Sequence, residues 1–251
     1  MQIDTGFRPS KHGFGFPNAW HDVLLGVAAS RGRCGGMVFA ALDRFAAGVP
    51  LTPAEQAAAL PAHDAELARV IWRRQVESVA THLGSNLWRF AVLTYLPTHA
   101  PAGTAETTRR EIPRLLEALE AGLPVPLGLV SGLSLRHLAR NHQVLAYAVD
   151  VGDGPPRIRV YDPNLPRRDD VVLEVRPENP GRVIELVGAR VIPWRGLFVE
   201  RYAPAPAPGA VIVDGARAPV ARRVSDTHVV LATALLGALA GAWLFGRRRK
   251  R

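Results

Sequence analysis

Beyond residue 33 the chain moves from a helical hydrophobic period to a β-type one. Val38, Leu42 and Phe45, with Ala41 between them, recur at helical steps after Cys34, and Gly48 and Pro50 stop the pattern, which predicts a helix opening at the cysteine. Thr52-Pro53-Ala54-Glu55 holds a capping box with proline at the first helical position, the start of a short helix to about Leu60. From Asp64 a longer helix is predicted to Leu83, because Ala68, Trp72, Val76, Val79 and Leu83 recur every three or four residues while Arg69, Arg73, Arg74 and Glu77 take the other face. Trp88 to Leu96 reads as a first strand. Thr108-Arg109-Arg110-Glu111 caps a further helix that ends at Gly122, with Pro113 within or just beyond its first turn.

After Pro124 the period shortens. Leu127–Val130, His142–Asp150, Arg157–Asp162, Val171–Val175, Arg182–Val187 and Leu197–Tyr202 are short β-type runs separated by Gly, Pro, Asn and Asp. Helices first and strands second predict an α+β domain. Residues 1–33, rich in Gly, Phe and Pro, read as an aromatic-anchored arm with little regular structure. The expected organisation is a domain over 1–202, an Ala/Pro-rich linker over 203–227, an apolar helix over 228–246 and a basic tail over 247–251.

That apolar helix changes the picture of where the protein works. Val229 to Phe245 carries no charge and is followed at once by five basic residues, the pattern of a short transmembrane helix. No basic start followed by an apolar run opens the chain, so no secretory signal peptide is read there. The expectation is a single-pass, C-terminally anchored protein whose domain faces the cytoplasm and whose lipid partner is the bilayer. The positive-inside rule opposes that orientation, since the tail outweighs Arg217, Arg222 and Arg223 before the helix.

Composition narrows the chemistry. Of the net charge of +9 over 251 residues, the tail Arg247 to Arg251 supplies five, so no polynucleotide footprint remains in the domain and no nucleic-acid partner is expected. Lysine occurs only at Lys11 and Lys250, a compositional bias rather than a basic surface. One cysteine excludes an intramolecular disulfide. The eight histidines show no HExxH spacing, and neither Gly35-Gly36 nor Gly13-Phe14-Gly15 forms a phosphate loop, so no metal and no cofactor are expected.

The cysteine itself is the chemical candidate. Cys34 sits where a glycine-rich turn gives way to a helix, and unpaired N–H groups and the helix dipole there favour a thiolate, the nucleophilic form. A nucleophilic cysteine needs a base. His142 opens a strand that turns at Gly152-Asp153-Gly154-Pro155, and a turn centred near 153 pairs positions whose numbers sum to roughly 306. His142 and Asp162 therefore emerge at one end of one hairpin, where a carboxylate can hold an imidazole ready to take a proton from a thiol. Asn164 is the rival orienting residue, because an amide can do the same.

Gly32-Arg33-Cys34-Gly35-Gly36-Met37, His142-Gln143-Val144-Leu145-Ala146-Tyr147 and Val160-Tyr161-Asp162-Pro163-Asn164 together resemble the papain-like cysteine peptidase superfamily, nearest its bacterial C39-like branch, over about residues 12–200. The resemblance implies a two-lobed fold, with the Cys helix in a helical lobe and the His strand in an antiparallel β lobe. It also implies hydrolysis of an amide bond in a peptide or protein substrate, with Cys34 as nucleophile, His142 as general base and acid, and Asp162 as orienting residue. One position departs from the pattern: Ala28 stands where such enzymes carry a glutamine that helps bind the oxyanion. Asn18 is the candidate substitute. The alternative is an inactive papain-like domain that binds a peptide or protein in the old cleft.

Overall fold

The computed structural model describes residues 1–24, 28–176 and 179–207. The chain opens with β1 (Gln2–Asp4), α1 (Pro9–His12) and a small hairpin of β2 (His21–Leu24) and β3 (Ala28–Arg31). A helical block follows: α2 (Cys34–Ala46), α3 (Pro53–Gln56), α4 (Glu66–Tyr95) and α5 (Thr104–Glu120). β4 (Val125–Val130), α6 (Leu135–Leu138), β5 (His142–Asp150) and β6 (Arg157–Tyr161) come next, then β7 (Val172–Val175), β8 (Val183–Val187), β9 (Arg190–Trp194) and β10 (Gly196–Val199). The main sheet is antiparallel and curled, in the order β10-β4-β5-β6-β7-β8-β9, with β1 alongside the last residues of β5. The architecture is α+β.

β5 is the central strand, and both its faces are covered. Leu145 and Tyr147 point into a core built with Met37, Phe39 and Leu42 of α2, while Val144 and Ala146 point into a second core under Leu115 and Leu119 of α5. The predicted hairpin register holds at Leu145↔Tyr161 and Ala146↔Val160, and a bulge after Ala146 shifts it by one residue to Ala148↔Arg159. The shift also exchanges the faces: Ala148 joins the α2 core and Val149 the α5 core.

The aromatic arm earns its anchoring. Phe7, Phe14, Phe16 and Trp20 are almost wholly buried against α2 and β6. Each such side chain stabilises the fold by about 1.5–3 kcal/mol through apolar burial. Regular structure is nonetheless present in the arm, since β1, α1, β2 and β3 all fall before residue 33. These elements are three or four residues long, too short to print a period on the sequence.

Three further expectations change. The run from Trp88 to Tyr95 is the last part of α4, with Leu96 at its C-cap, not a strand: Asn86, Phe90 and Thr94, four apart, are buried together while Trp88 is exposed, and only a helix places them so. α5 begins at Thr104, which leaves Pro113 in mid-helix, exposed, and Thr108 buried as a partner of Leu197 rather than a cap. α3 stops at Gln56 although its capping box forms as predicted. β9 escaped notice because Pro193 interrupts it, which an edge strand tolerates.

Residues 203–205 run on the domain surface, where Ala203 O accepts from Arg74 and Ala205 N–H donates to Asp43. Among the described residues no helix is long and apolar enough to cross a membrane. The apolar run 229–245, the linker from 208 and the basic tail lie outside the described residues.

Candidate active site

The start of α2 is fixed by residues on both sides of Cys34. Gly32 has φ +105°, and a Cβ there would fall 2.3 Å from Asn18 Nδ2, so only glycine lets the chain turn into the helix beside Asn18. Arg33 is buried and clamps the turn: Nε and Nη2 donate to the two oxygens of Asp22 at 2.9 and 2.7 Å, and Nη1 donates to the Ala68 carbonyl at 2.7 Å. Its guanidinium stacks between Trp20 and Trp72, 4.9 and 5.2 Å from their centroids. Gly35 and Gly36 let α2 press onto its neighbours. A Cβ on Gly36 would stand 2.1 Å from the Ile71 carbonyl oxygen, and one on Gly35 would stand 2.2 Å from Gln143 Oε1 and Ser78 Oγ.

β5 and the turn after β6 deliver the other groups. His142 Nε2 lies 2.6 Å from Asp162 Oδ1, both side chains almost wholly buried. The Asn164 backbone N–H donates to the same Asp162 oxygen at 2.8 Å. Asn164 Nδ2 is 3.2 Å from His142 Nε2, a longer approach to a nitrogen already committed to the carboxylate. Asp162 is therefore the direct partner of the imidazole, and Asn164 braces it. Cys34 lies close enough to the imidazole to help hold its proton, while its thiol donates to Gln143 Oε1 at 3.8 Å. With Nε2 taken, Nδ1 is the nitrogen left for the thiol.

The electrostatics follow from burial and pairing. Burial alone would push His142 down, but the charge and hydrogen bond of Asp162, reinforced by Cys34, hold its imidazole well above the ordinary range. Burial would likewise raise Asp162, yet the charge and hydrogen bond of His142, with the Asn164 N–H, keep its carboxyl below the usual range.

Asn18 lies between the turn that opens α2 and the turn after β6. Its Oδ1 accepts from the Arg33 N–H, and its Nδ2 donates to Asn164 Oδ1 at 3.2 Å. Ala28 lies on β3, paired with Leu24. The structure thus brings Cys34, His142, Asp162, Asn164 and Asn18 together.

Several residues of the site carried no sequence signal. Trp194 stacks on the His142 ring, with centroids 6.1 Å apart and planes 18° from parallel, and its Nε1–H donates to Glu185 Oε2 at 2.7 Å. Gln143, the neighbour of His142, puts Oε1 3.8 Å from Cys34 Sγ and donates through Nε2 to both oxygens of Glu200 at 2.9 Å. Burial pushes the Glu200 carboxyl up to about 8 despite that hydrogen bond. Beside Cys34 opens a cavity of about 130 Å³ with an apolar wall of Val79, Leu87, Phe90 and Leu138. Among the described residues no group of three or more His, Cys, Asp or Glu side chains is placed to hold a metal ion.

Comparison of the chain with protein-family models, with curated proteins and with solved structures returns no match.

Proposed function

We propose that the chain is a papain-like thiol hydrolase that cleaves an amide bond in a peptide or protein. The observation that carries this reading is His142, held by Asp162 at 2.6 Å through Nε2, with Cys34, the first residue of α2, near enough to act on its imidazole. Cys34 gives its proton to Nδ1 of His142, and the thiolate attacks the scissile carbonyl carbon. The carbonyl π pair moves to oxygen. The Cys34 backbone N–H, without an intrahelical partner at the helix start, and the Asn18 amide are the donors proposed for that oxyanion. Collapse restores the carbonyl and breaks the C–N bond as His142 protonates the departing amine. Water then attacks the thioester, His142 takes its proton, and the acid leaves with the thiol restored.

The sequence order of a helical block with Cys34 followed by a sheet with His142 supports the two-lobed papain-like arrangement. The apolar wall of the cavity beside Cys34 suits one aliphatic or aromatic side chain of the substrate. The test is turnover. Incubation with a peptide library should release products from the wild-type protein and none from Cys34→Ser. A library left intact by wild-type protein that nonetheless retains peptides would establish the binding module instead, with Ala28 as the reason for lost catalysis.

A further inference from the structure

We propose that Glu185 is carried as a neutral carboxylic acid that donates a hydrogen bond to Asp162, and that it thereby serves as a positioning residue for the His142–Asp162 pair. The inference rests on the hydrolase reading only for its consequence, not for its geometry. Glu185 sits on β8, fully buried, and Trp194 of β9 links it to His142. Its two oxygens are treated differently. Oε2 accepts the Trp194 indole N–H at 2.7 Å, whereas Oε1 is buried with no donor within reach. Trp194, which stacks on His142 and donates to Glu185, holds the Glu185 carboxyl beside the His142–Asp162 pair, where the Asp162 charge acts on it.

Two neighbouring carboxyls in a buried site cannot both be ionised without severe repulsion, and a proton between them turns that repulsion into a hydrogen bond. The His142–Asp162 geometry decides where the proton sits. Asp162 already accepts from His142 and from the Asn164 N–H, which favours its charged form; Glu185 accepts only the indole N–H. Among the described residues, the groups acting on Glu185 are Asp162, His142 and the uncharged Trp194, and the cationic His142 is already matched by Asp162. Burial and the Asp162 charge raise the Glu185 carboxyl to about 7, in agreement with a proton held under mildly acidic conditions. The hydrogen bond aims the Asp162 carboxylate at Nε2, and Trp194 ties both ends by stacking on His142 while donating to Glu185.

Glutamine reproduces the protonated acid: its carbonyl accepts from Trp194 and its amide donates to Asp162. Alkylation of Cys34 by iodoacetamide at pH 6 should therefore fall at least tenfold in Glu185→Leu and be rescued by Glu185→Gln to within about twofold of wild type. Between pH 6 and 8 the wild-type rate should show an inflection near 7 that Glu185→Gln lacks. A Glu185→Gln protein that is as slow as Glu185→Leu, that keeps the inflection or that fails to fold overturns the proposal. The proton can be read without any reactivity, as an infrared carbonyl band of a protonated carboxyl that is present in wild type at pH 6 and weaker in Glu185→Gln. That band unchanged by Glu185→Gln overturns the assignment; the band assigned while Cys34 stays inert overturns the hydrolase reading alone.

Discussion

Gly36→Ala adds one methyl group at the crossing of α2 and α4, and the structure says where it must go. The new Cβ would stand 2.1 Å from the Ile71 carbonyl oxygen, 2.9 Å from the Gln75 nitrogen and 3.0 Å from Gln75 Cβ. Ile71 lies in the helical body of α4 and is fully buried, so its carbonyl cannot turn away; the helices must part, by about 1 Å to reach even the 3.0 Å that real Cβ contacts respect. Parting also stretches the Gly36 N–H bond to Gln75 Oε1, now 2.9 Å. Overpacking of this kind costs about 1–3 kcal/mol, and a clash with backbone belongs at or above the top of that range. The better helix propensity of alanine returns about 1 kcal/mol. The net expectation is a loss of about 2 kcal/mol, measured as a lowered urea midpoint at unchanged slope. Because Cys34 is two residues upstream on α2 while His142 is on β5, a displacement near 1 Å should also slow Cys34 alkylation by about a hundredfold. Gly152→Ala, where no atom lies within 4 Å of the new Cβ, is the control and should change neither. A Gly36→Ala protein as stable and as reactive as that control would refute the close crossing on which the placement of Cys34 depends.

The remaining prediction concerns pH and stability. Glu200 and Glu185 are held above their ordinary 4.5, to about 8 and about 7, by burial, so the stability of the neutral forms is fully present below 4.5 and is lost as pH rises through those values. Urea midpoints should fall from pH 4.5 to 8.5 in wild type and fall less in Glu200→Gln; an identical slope in the two proteins would contradict a neutral Glu200. Asp162, held below its ordinary 3.8, acts in the opposite sense and adds stability above that value that is lost as pH falls.

What the sequence made legible was local. The helix beginning at Cys34 announces itself through the glycine pair and the Val38, Leu42, Phe45 spacing, and the hairpin arithmetic placed His142 opposite the end of β6 because a turn of known centre fixes a register. Periodicity failed where a β-rich composition sat on a helical frame, as at Trp88 to Tyr95, where burial of Phe90 and Thr94 four residues apart outweighed propensity. It also failed where a feature is made by distant contacts. Thr108 looked like a cap and instead bonds Leu197 across the domain, and Asp22 gave no hint that it would hold Arg33 behind Cys34. Glu185 and Trp194 are the clearest case. Each is an unremarked residue of a short strand, and only the fold carries them to the His142–Asp162 pair.

The central claim is that His142 activates Cys34. Its most direct test is the second-order rate of iodoacetamide alkylation at pH 6, read by mass on the tryptic peptide from Cys34 to Arg44, in wild type and in His142→Ala. An unactivated thiol, with its ordinary value of about 8.5, is scarcely ionised at that pH. The account predicts labelling of wild type well above that of a free thiol and at least tenfold slower labelling of His142→Ala; equal, sluggish labelling of the two proteins would contradict it.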